Sequence, residues 1–410
     1  MPFDRMQADL HQELEQLDAA GTSKGPESVV VRIKPAEGGR GPRFLIEGEG
    51  DKEFIRMNSN SYLGLSFRKE LLEAEEHTAR LFGVGPGAVR FISGTYEPHL
   101  KLERALAQFH GREAAHITSA AYNAVMGVLV TLTTPETVLI SDELNHNCIV
   151  NGAKLARPKE RKVYKHNDVG QLDRVLREAA EAGAKSAIVV TDGVFSMRGD
   201  IAPLAQIAET VRKHDARFPR NAVLFVDDSH GVGAFGPTGR GSEEISGARA
   251  DILVGTLGKA FGVNGGYVTG SALLVRWLRE KNPFYIYSNP ISAGEAAAAL
   301  RALEIVQNDE GQKLLGHLAT MTRRFRDGLV RLGFETIEGQ HPVVPLLVRD
   351  TDKTRALVKF LRQNGVLATG LNYPVVPKGE QLIRFQVNAS HTAQDVDQVL
   401  EVLRRFKDQA

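Results

Sequence analysis

The stretch Val223-Leu224-Phe225-Val226-Asp227-Asp228-Ser229-His230-Gly231 decides the fold class. An apolar run without polar interruptions is typical of a strand that is buried on both faces of a parallel sheet. Similar runs recur between helical patterns, namely Val138-Leu139-Ile140, Ala187-Ile188-Val189-Val190 and Ile252-Leu253-Val254. The alternation of such runs with helices between about residues 60 and 290 predicts an α/β fold with a mostly parallel sheet.

The rest of the chain predicts a second, smaller domain. With 410 residues the chain exceeds a single typical core. A long helical pattern after residue 291 leads to two apolar runs at 343–348 and 382–385, and a helical pattern closes the chain near 393–407. We therefore predict three segments, which are an N-terminal arm with a connecting segment at 1–60, a large domain at 61–290 and a small C-terminal α+β domain at 291–410.

The first 53 residues carry no predicted chemistry. The spacing of apolar residues by three and four predicts an amphipathic helix with one apolar stripe, formed by Phe3, Met6, Leu10, Leu14 and Leu17. Residues 21–53 are rich in Gly, Pro and charge, which is typical of connecting strands and turns rather than of a core. The apolar stripe of the arm needs a surface to pack on.

Composition excludes several classes of protein. Hydrophobic residues make up 42% and charged residues 25%, which is ordinary for a globular protein. Lys and Arg number 51 against 50 Asp and Glu, so no net charge favours nucleic acid or anionic lipid. Cys148 is the only cysteine, which predicts a reducing compartment. Without a signal sequence or an apolar run long enough to span a bilayer, the expected location is cytoplasmic.

Three polar side chains follow predicted strands, where ligands bind in open α/β sheets. They are Asp227, Lys259 in Gly255-Thr256-Leu257-Gly258-Lys259, and His146. A lysine on a glycine-flanked turn can form a Schiff base with an aldehyde, and a carboxylate can keep a pyridine nitrogen protonated. Taken singly, Lys259 is better interpreted as a surface lysine and His146 as a structural group. Together the three predict a site for pyridoxal 5′-phosphate (PLP).

Residues 231–236 offer an alternative from another class of enzyme, because they fit the dinucleotide pattern G-x-G-x-x-G after a strand. An NAD-dependent oxidoreductase would need a helix directly afterwards. Pro237, Gly239 and Gly241 stand there instead. We interpret the stretch as a turn-rich loop and disfavour the oxidoreductase.

Other ligand sites have less support. Residues 255–259 are similar to a phosphate loop, but Ala260 replaces the hydroxyl residue that magnesium requires. The 12 histidines form no H-E-x-x-H motif, and Cys148 cannot build a thiolate cage, so we expect no metal. We interpret Cys148 as a packing residue. A catalytically inactive scaffold is disfavoured because Lys259, Asp227 and Arg384 are all present.

Six segments spread over most of the chain form a specific combination. They are Asn60-Ser61-Tyr62-Leu63-Gly64-Leu65, Val89-Arg90-Phe91-Ile92-Ser93-Gly94-Thr95, Ser141-Asp142-Glu143-Leu144-Asn145-His146, Asp192-Gly193-Val194-Phe195-Ser196-Met197, Asp227-Asp228-Ser229-His230 and Thr256-Leu257-Gly258-Lys259. Together they resemble the α-oxoamine synthases, which are fold-type I PLP-dependent transferases. The resemblance implies a homodimer with shared active sites that joins an amino acid to an acyl-CoA.

Two branches of this family compete. Leu144-Asn145-His146 and the segment 373–379 are most similar to the 2-amino-3-ketobutyrate CoA ligases, also called glycine C-acetyltransferases. This branch implies glycine and acetyl-CoA as substrates. The spacing from Asp227 to Lys259 and the segment His166-Asn167-Asp168-Val169 are more similar to the 8-amino-7-oxononanoate synthases. This second branch implies alanine or serine, or a longer acyl-CoA, with decarboxylation.

The resemblance implies a role for each residue of its motifs. Lys259 would form the Schiff base, Asp227 would pair with the pyridine nitrogen, and His146 would stack on the ring. His146 and His230 can also hydrogen-bond developing oxyanion charge. The resemblance also implies that His230 and Ser196 contact the cofactor 3′-oxygen. The phosphate would be bound by the backbone of Ala121 and Tyr122, by the hydroxyl of Thr256 and by the hydroxyl of Ser288 from the partner subunit. Asn60 and Arg384 would bind the amino acid.

Overall fold

The computed structural model describes residues 3–20, 22–373 and 375–409. Pro374, in the segment 373–379, lies outside the described residues. The chain forms two compact units. The larger unit comprises Asn60–Thr320 and Gly339–Pro342, and the smaller unit comprises the described residues of Met1–Ser59, Met321–Glu338 and Val343–Ala410.

The helices are numbered along the chain. They are α1 (Asp4–Ala19), α2 (Lys69–Phe82), α3 (Glu97–Phe109), α4 (Ala121–Leu132), α5 (Asn147–Leu155), α6 (Val169–Glu181), α7 (Leu204–Asp215), α8 (Ser242–Ser246), α9 (Ala272–Lys281), α10 (Pro283–Ile286), α11 (Ala293–Val306), α12 (Asp309–Arg331), α13 (Thr351–Gln363) and α14 (Ala393–Gln409), with a 3₁₀ turn at Leu65–Phe67.

The strands are numbered in the same way. They are β1 (Val30–Lys34), β2 (Arg43–Ile46), β3 (Ile55–Arg56), β4 (Ala114–Thr118), β5 (Thr137–Asp142), β6 (Glu160–Tyr164), β7 (Ser186–Asp192), β8 (Ala222–Asp227), β9 (Ile252–Thr256), β10 (Gly266–Gly270), β11 (Glu335–Thr336), β12 (Val343–Leu347), β13 (Val366–Leu367), β14 (Thr369–Leu371) and β15 (Leu382–Gln386).

A seven-stranded sheet forms the centre of the larger unit, in the order β4-β10-β9-β8-β7-β5-β6. Strand β10 is antiparallel to both of its neighbours, and the pairs from β9 to β6 are parallel. The four predicted apolar runs lie in β5, β7, β8 and β9. The predicted α/β class with a mostly parallel sheet is therefore confirmed.

Both faces of this sheet are covered, which explains the uninterrupted apolar runs. Successive side chains of a strand point to opposite faces. In β8, Leu224 and Val226 belong to one buried cluster, whereas Phe225 belongs to the cluster on the other face. Burying an apolar side chain of this size contributes roughly 1.5–3 kcal/mol. Polar residues appear only where the strand ends, at Asp227.

The smaller unit contains an antiparallel sheet in the order β11-β12-β15-β14. It also contains the pair β1-β2 and the parallel pair β3-β13. The helices α13 and α14 contact each other, and α13 also contacts β13 and β14. The predicted runs at 343–348 and 382–385 lie in or next to β12 and β15, which agrees with the predicted α+β character.

Residues 21–53 contribute more to the core than their composition indicates. All four residues of β2 are buried. The Nη2 atom of Arg43 lies 2.6 Å from Oδ1 of Asp395, and both side chains are almost completely buried. The interpretation of this segment as connecting strands and turns outside a core was therefore wrong for β2. The polar residues that flank β2 in the sequence give no indication of this short strand, whose buried contacts involve residues far away in the chain.

The two units divide the chain differently from the predicted domains. Helix α11 follows residue 291 but packs against α2 and α3 of the larger unit. Residues before 60 belong to the smaller unit because β3 pairs with β13. The domain boundaries at 60 and 290 remain a prediction, and local sequence patterns contain no signal for these long-range pairings.

The N-terminal helix forms where the apolar spacing predicts it. No residue of α1 is buried, and its apolar stripe is exposed, with Met6 at 57% and Leu14 at 60%. Among the described residues, no helix has the length and apolar character needed to cross a membrane.

Candidate active site

A cavity of about 280 Å³ opens in the larger unit at the carboxyl ends of β7, β8 and β9. Most residues predicted from the sequence to bind the cofactor meet here. The lining residues are Ala120, Ala121, Tyr122, His146, Cys148, Asp192, Val194, Asp227, Ser229, His230, Thr256 and Lys259.

Asp227 is the last residue of β8, and its side chain is held by neighbours on both oxygens. Oδ1 accepts hydrogen bonds from the hydroxyl of Ser229 at 2.6 Å and from its backbone N–H at 3.1 Å. Oδ2 lies 3.5 Å from the thiol of Cys148, which donates to it. These contacts fix the plane of the carboxylate. Asp227 is almost completely buried, so an ionised form needs such donors or a cationic partner.

Asp192, the last residue of β7, is paired in register with Asp227. Burial, together with the Asp227 carboxylate, raises the pKa of Asp192 well above its ordinary value. Its Oδ2 atom accepts a hydrogen bond from the backbone N–H of His146 at 3.0 Å. Asp192 has no role among the residues predicted from the sequence. Its position two residues after the apolar run of β7 was the available signal.

Lys259 lies on a turn just beyond β9 and is half-buried. The turn is closed by a hydrogen bond from the N–H of Gly262 to the carbonyl of Lys259 at 3.0 Å. Thr256 stabilises the start of the turn, because its hydroxyl accepts from the N–H of Gly258 at 3.2 Å and donates to Gly265 at 3.3 Å. The amine-bearing side chain thus lines the cavity from a fixed loop.

His146 caps the start of α5. Its Nδ1 atom accepts a hydrogen bond from the backbone N–H of Cys148 at 3.2 Å and lies 2.9 Å from the Cys148 sulfur. An Nδ1 atom that accepts places the proton of a neutral imidazole on Nε2. Burial raises the pKa of the Cys148 thiol, which agrees with the interpretation of Cys148 as a packing residue rather than a nucleophile.

The N-terminus of α4 forms another part of the cavity wall, through Ala120, Ala121 and Tyr122. The first backbone N–H groups of a helix have no carbonyl partner within the helix, and they favour anions such as phosphate. Gly266 of β10 allows this close approach, since a Cβ atom there would lie 2.2 Å from the backbone nitrogen of Ala121.

His230 is fixed by two aromatic residues. Its Nδ1 atom lies 2.7 Å from the hydroxyl of Tyr62, and its carbonyl lies 2.9 Å from Nε2 of His341. Tyr62 is fully buried and has a backbone φ of 34°, which is rare for a residue with a side chain. The sequence motif that contains Tyr62 gives no indication of this contact.

Three predicted positions of the larger unit do not belong to the cavity lining formed by its described residues. Ser196 is buried in the turn after β7, and Asn60 is half-buried in a turn before α2. The hydroxyl of Ser288 lies 3.3 Å from that of Ser119, directly before α4. Their proposed contacts with ligands therefore remain predictions.

Arg384 belongs to the smaller unit, in the middle of β15, where it pairs in register with Pro345 and Thr369. The buried side chain of Gln386 lies beside it. With its amide turned to satisfy both groups, the Gln386 oxygen accepts from Arg384 Nε at 3.0 Å and Nη2 at 3.1 Å. The same oxygen also contacts Nη1, so a neutral amide lies against all three nitrogens of the guanidinium group.

The dinucleotide pattern at 231–236 forms turns, as Pro237 and the glycines after it predict. The next helix, α8, has five residues and begins only at Ser242. A dinucleotide site needs a helix that starts within the glycine motif, so this loop does not have the required form.

The cavity has the side chains that PLP requires. Lys259 supplies an amine, Asp227 a carboxylate and His146 an imidazole ring, and all three line the same space. The start of α4 supplies backbone donors for a phosphate. Because amine, carboxylate and anion site occur in one cavity, the residues present fit PLP.

Comparison with known proteins agrees with this chemistry. The sequence matches the family "Aminotransferase class I and II" over residues 52–403. It is 38% identical over 371 residues to an 8-amino-7-oxononanoate synthase of Thermosipho melanesiensis, which covers 90% of this chain and 91% of the relative. It is also 38% identical over 358 residues to a 2-amino-3-ketobutyrate coenzyme A ligase of Salmonella typhimurium, covering 87% and 88%.

The structure is similar to that of a serine palmitoyltransferase variant from S. paucimobilis, solved with a bound PLP–myriocin aldimine. The TM-score is 0.87 at 26% identity, over 100% of this chain and 98% of that one. Family, fold and cavity residues all point to the same cofactor. The chain therefore belongs to the aminotransferase class I and II family and, within it, is a PLP-dependent α-oxoamine synthase of fold type I.

Proposed function

We propose that this protein joins a small amino acid to an acyl-CoA and releases CoA, with glycine and acetyl-CoA as the preferred pair. The observation that carries the proposal is the meeting of Lys259, Asp227, His146 and the start of α4 in one cavity. When bound, PLP supplies an electron sink that acidifies the α-carbon of an amino acid. The cavity residues determine which proton moves and where the new charge is held.

Lys259 is the proposed attachment residue and, once displaced, the base that removes a proton from the α-carbon. Its place on a closed turn limits the positions that its amine can reach. Asp227 is proposed to hold a proton on the pyridine nitrogen. Its carboxylate plane is already fixed by Ser229 and Cys148, so little reorganisation is needed when the cofactor binds.

His146 is proposed to stack on the cofactor ring and to donate from Nε2 to developing oxyanion charge. The contact at its Nδ1 atom supports this assignment because it places the proton of a neutral imidazole on Nε2. His230 is proposed to act at the cofactor 3′-oxygen together with Ser196. The hydroxyl of Tyr62 fixes the ring of His230 in one orientation.

The proposed phosphate contacts are the backbone N–H groups of Ala121 and Tyr122 and the hydroxyl of Thr256, all of which belong to the cavity lining. The hydroxyl of Ser288 is proposed to come from a partner subunit. Asn60 and Arg384 are the proposed contacts of the amino-acid substrate. The chemistry of the guanidinium group supports this assignment for Arg384, because it can bind a carboxylate by two parallel hydrogen bonds.

The second candidate is an 8-amino-7-oxononanoate synthase activity, and relatives with that name are as similar to this chain as the ligases. The product names distinguish the two reactions. A 2-amino-3-ketobutyrate results when glycine is joined to an acetyl group and the carboxylate of glycine is retained. An aminononanoate with its amine next to the terminal methyl fits alanine that has lost its carboxylate, joined to a seven-carbon acyl chain.

The experiment is a matrix of CoA-release assays on the PLP-loaded enzyme. Glycine, alanine and serine are each combined with acetyl-CoA and with longer acyl-CoAs, and Lys259→Ala serves as the control. Amino acids labelled in the carboxylate show whether the label stays in the product or leaves as CO₂. The proposal predicts the highest kcat/KM for glycine with acetyl-CoA and a retained label. Preference for alanine with a long acyl chain would favour the second candidate, and no CoA release with any pair would refute both.

We also propose a homodimer with shared active sites in the cytoplasm. The exposed apolar stripe of α1 supports an additional subunit contact, because large apolar side chains on one helix face favour burial. Sedimentation velocity of the wild type tests this, and Leu14→Glu should weaken the association. An active monomer at assay concentration would contradict the proposal.

A further inference from the structure

His166 lies in the short connection between β6 and α6 and joins two carboxylates that belong to different loops. Its Nδ1 atom is 3.1 Å from Oδ1 of Asp142, and its Nε2 atom is 2.8 Å from Oδ2 of Asp200. The ring of Phe195 stands perpendicular to the imidazole, with centroids 4.4 Å apart. The imidazole is mostly buried, at 16% exposure, so these contacts are protected from solvent.

Asp142 is the last residue of β5, directly before the loop that carries His146. Its Oδ1 atom also accepts from the N–H of Leu144 at 2.9 Å. Further along the loop, Asn145 accepts from the N–H of Asp192 at 2.8 Å. The loop 142–146 is therefore held at one end by His166 and at the other by the end of β7.

Asp200 closes the loop that follows β7 and contains Val194 and Ser196. The N–H of Phe195 donates to the carbonyl of Asp200 at 2.9 Å, and Val194 forms a bridge with Ile201. Val194 lines the cavity. His166 thus touches both loops that bring residues to this side of the cavity.

An imidazole that donates to two carboxylates must carry a proton on both nitrogens. Burial alone would lower the pKa of His166, but the hydrogen bonds to Asp142 and Asp200 outweigh it and raise the pKa to about 9. The other charges near this site are Arg198, which is 3.3 Å from Oδ2 of Asp200, Glu143, which accepts from the backbone N–H of His166, and Lys165, whose Nζ atom lies 2.9 Å from Oε2 of Glu143. At neutral pH His166 therefore carries a positive charge between the two carboxyl groups.

We propose that His166 is a positioning residue that clamps the His146 loop to the loop of Val194 and Ser196 through a charged Asp142–His166–Asp200 bridge. The clamp fixes the imidazole of His146 at the cavity wall. Because it acts on loops of the protein itself, the proposal goes beyond the proposed function and holds whichever amino acid and acyl-CoA are used.

A similar pair elsewhere in the larger unit provides a matched control. Nε2 of His214 lies 2.9 Å from Oδ1 of Asp173, which joins α7 to α6. The side chain of His214 is buried, and His214 does not line the cavity. His166→Asn and His214→Asn each remove a histidine–carboxylate contact, but only the first removes a contact between the two loops.

The first test is amide hydrogen exchange, followed by mass spectrometry, on wild type, His166→Asn and His214→Asn without PLP. Loss of charged hydrogen bonds should increase exchange on the order of tenfold or more in peptides covering 142–147 and 193–202 in His166→Asn. His214→Asn should leave both peptides as in wild type. Equal exchange in His166→Asn and wild type, or the same effect in His214→Asn, would overturn the proposal.

The second test is the pH dependence of the clamp. Since the pKa of His166 is raised on folding, its contribution is complete below the ordinary value near 6.5 and is lost as pH rises through about 9. After correction for intrinsic exchange, the two wild-type peptides should lose protection between pH 8 and 10 (roughly one unit on each side of this pKa). This step should be absent from His166→Asn. A step of equal size in that variant would assign it to another group.

A third readout uses the loaded enzyme. The circular dichroism of bound PLP reports how the ring is held, and it should change in His166→Asn but not in His214→Asn. If His166→Asn does not fold, Asp200→Asn keeps the side-chain shape and removes one carboxylate. It should loosen 193–202 more than 142–147, and unchanged exchange in 193–202 would refute the clamp.

Discussion

Asp227→Asn tests the proposed grip on the cofactor nitrogen most directly. Asparagine keeps the shape of the side chain and can still accept from Ser229, whose hydroxyl is 2.6 Å from Oδ1. The substitution removes the negative charge that a protonated pyridine nitrogen requires. Asp192 offers a matched control, because it is equally buried and is paired in register with Asp227.

The expected loss of PLP affinity follows from the energy of a hydrogen bond to a charged group. A hydrogen bond to a charged group is worth about 1.5–3 kcal/mol, so Asp227→Asn should raise the Kd of PLP roughly tenfold to 150-fold. Burial and the neighbouring Asp227 carboxylate raise the pKa of Asp192, which disfavours its charged form. Because the charged form of Asp192 is disfavoured, Asp192→Asn should raise the Kd of PLP less than Asp227→Asn does.

The assay removes PLP from each purified protein and titrates it back, following the absorbance of the bound cofactor. Thermal unfolding of the PLP-free proteins shows whether both variants fold as the wild type does. Wild-type affinity in Asp227→Asn would refute the assignment. An equal loss in Asp192→Asn would show that charge at the strand ends in general, rather than the Asp227 carboxylate, determines binding.

Three further outcomes are expected. Lys259→Ala should fold but yield no pyridoxyl-labelled peptide after borohydride reduction, and a label on another lysine would contradict the assignment. Arg384→Ala should weaken glycine binding by about 1.5–3 kcal/mol. Arg384→Lys should also weaken it, because an ammonium group lacks the two parallel donors of a guanidinium group. Spectral titration with glycine measures both effects. Arg43→Met should lower the free energy of unfolding in urea by about 3–5 kcal/mol because it leaves Asp395 buried without its partner, and a loss under about 1 kcal/mol would show that the pair matters little.

The sheet could be predicted because each parallel strand at its centre has a local signal. The runs in β5, β7, β8 and β9 are apolar without interruption, and each is followed by polar residues or glycine. Strand β10 has no such signal. Its five residues include two glycines, and its antiparallel position between β4 and β9 depends on pairings with distant residues.

The candidate site was predictable to the extent that its residues directly follow strands or begin helices. Lys259, Asp227 and His146 satisfy that condition and line one cavity. Tyr62 could not be found this way, because its contact with His230 spans 168 residues and depends on an unusual backbone angle. The role of His166 could not be predicted, because the sequence around it does not show that Asp142 and Asp200 approach it from separate parts of the chain.

The buried pair of Arg43 and Asp395 joins positions 352 residues apart, and this separation has a consequence during translation. At about 5–20 residues per second, Asp395 leaves the ribosome roughly 20 to 70 seconds after Arg43. During that interval the four residues of β2 that are buried in the native fold have no completed core to enter. We therefore expect the nascent N-terminal segment to expose apolar side chains until the last helix is made, and variants that slow synthesis of that helix should aggregate more readily than their equilibrium stability indicates.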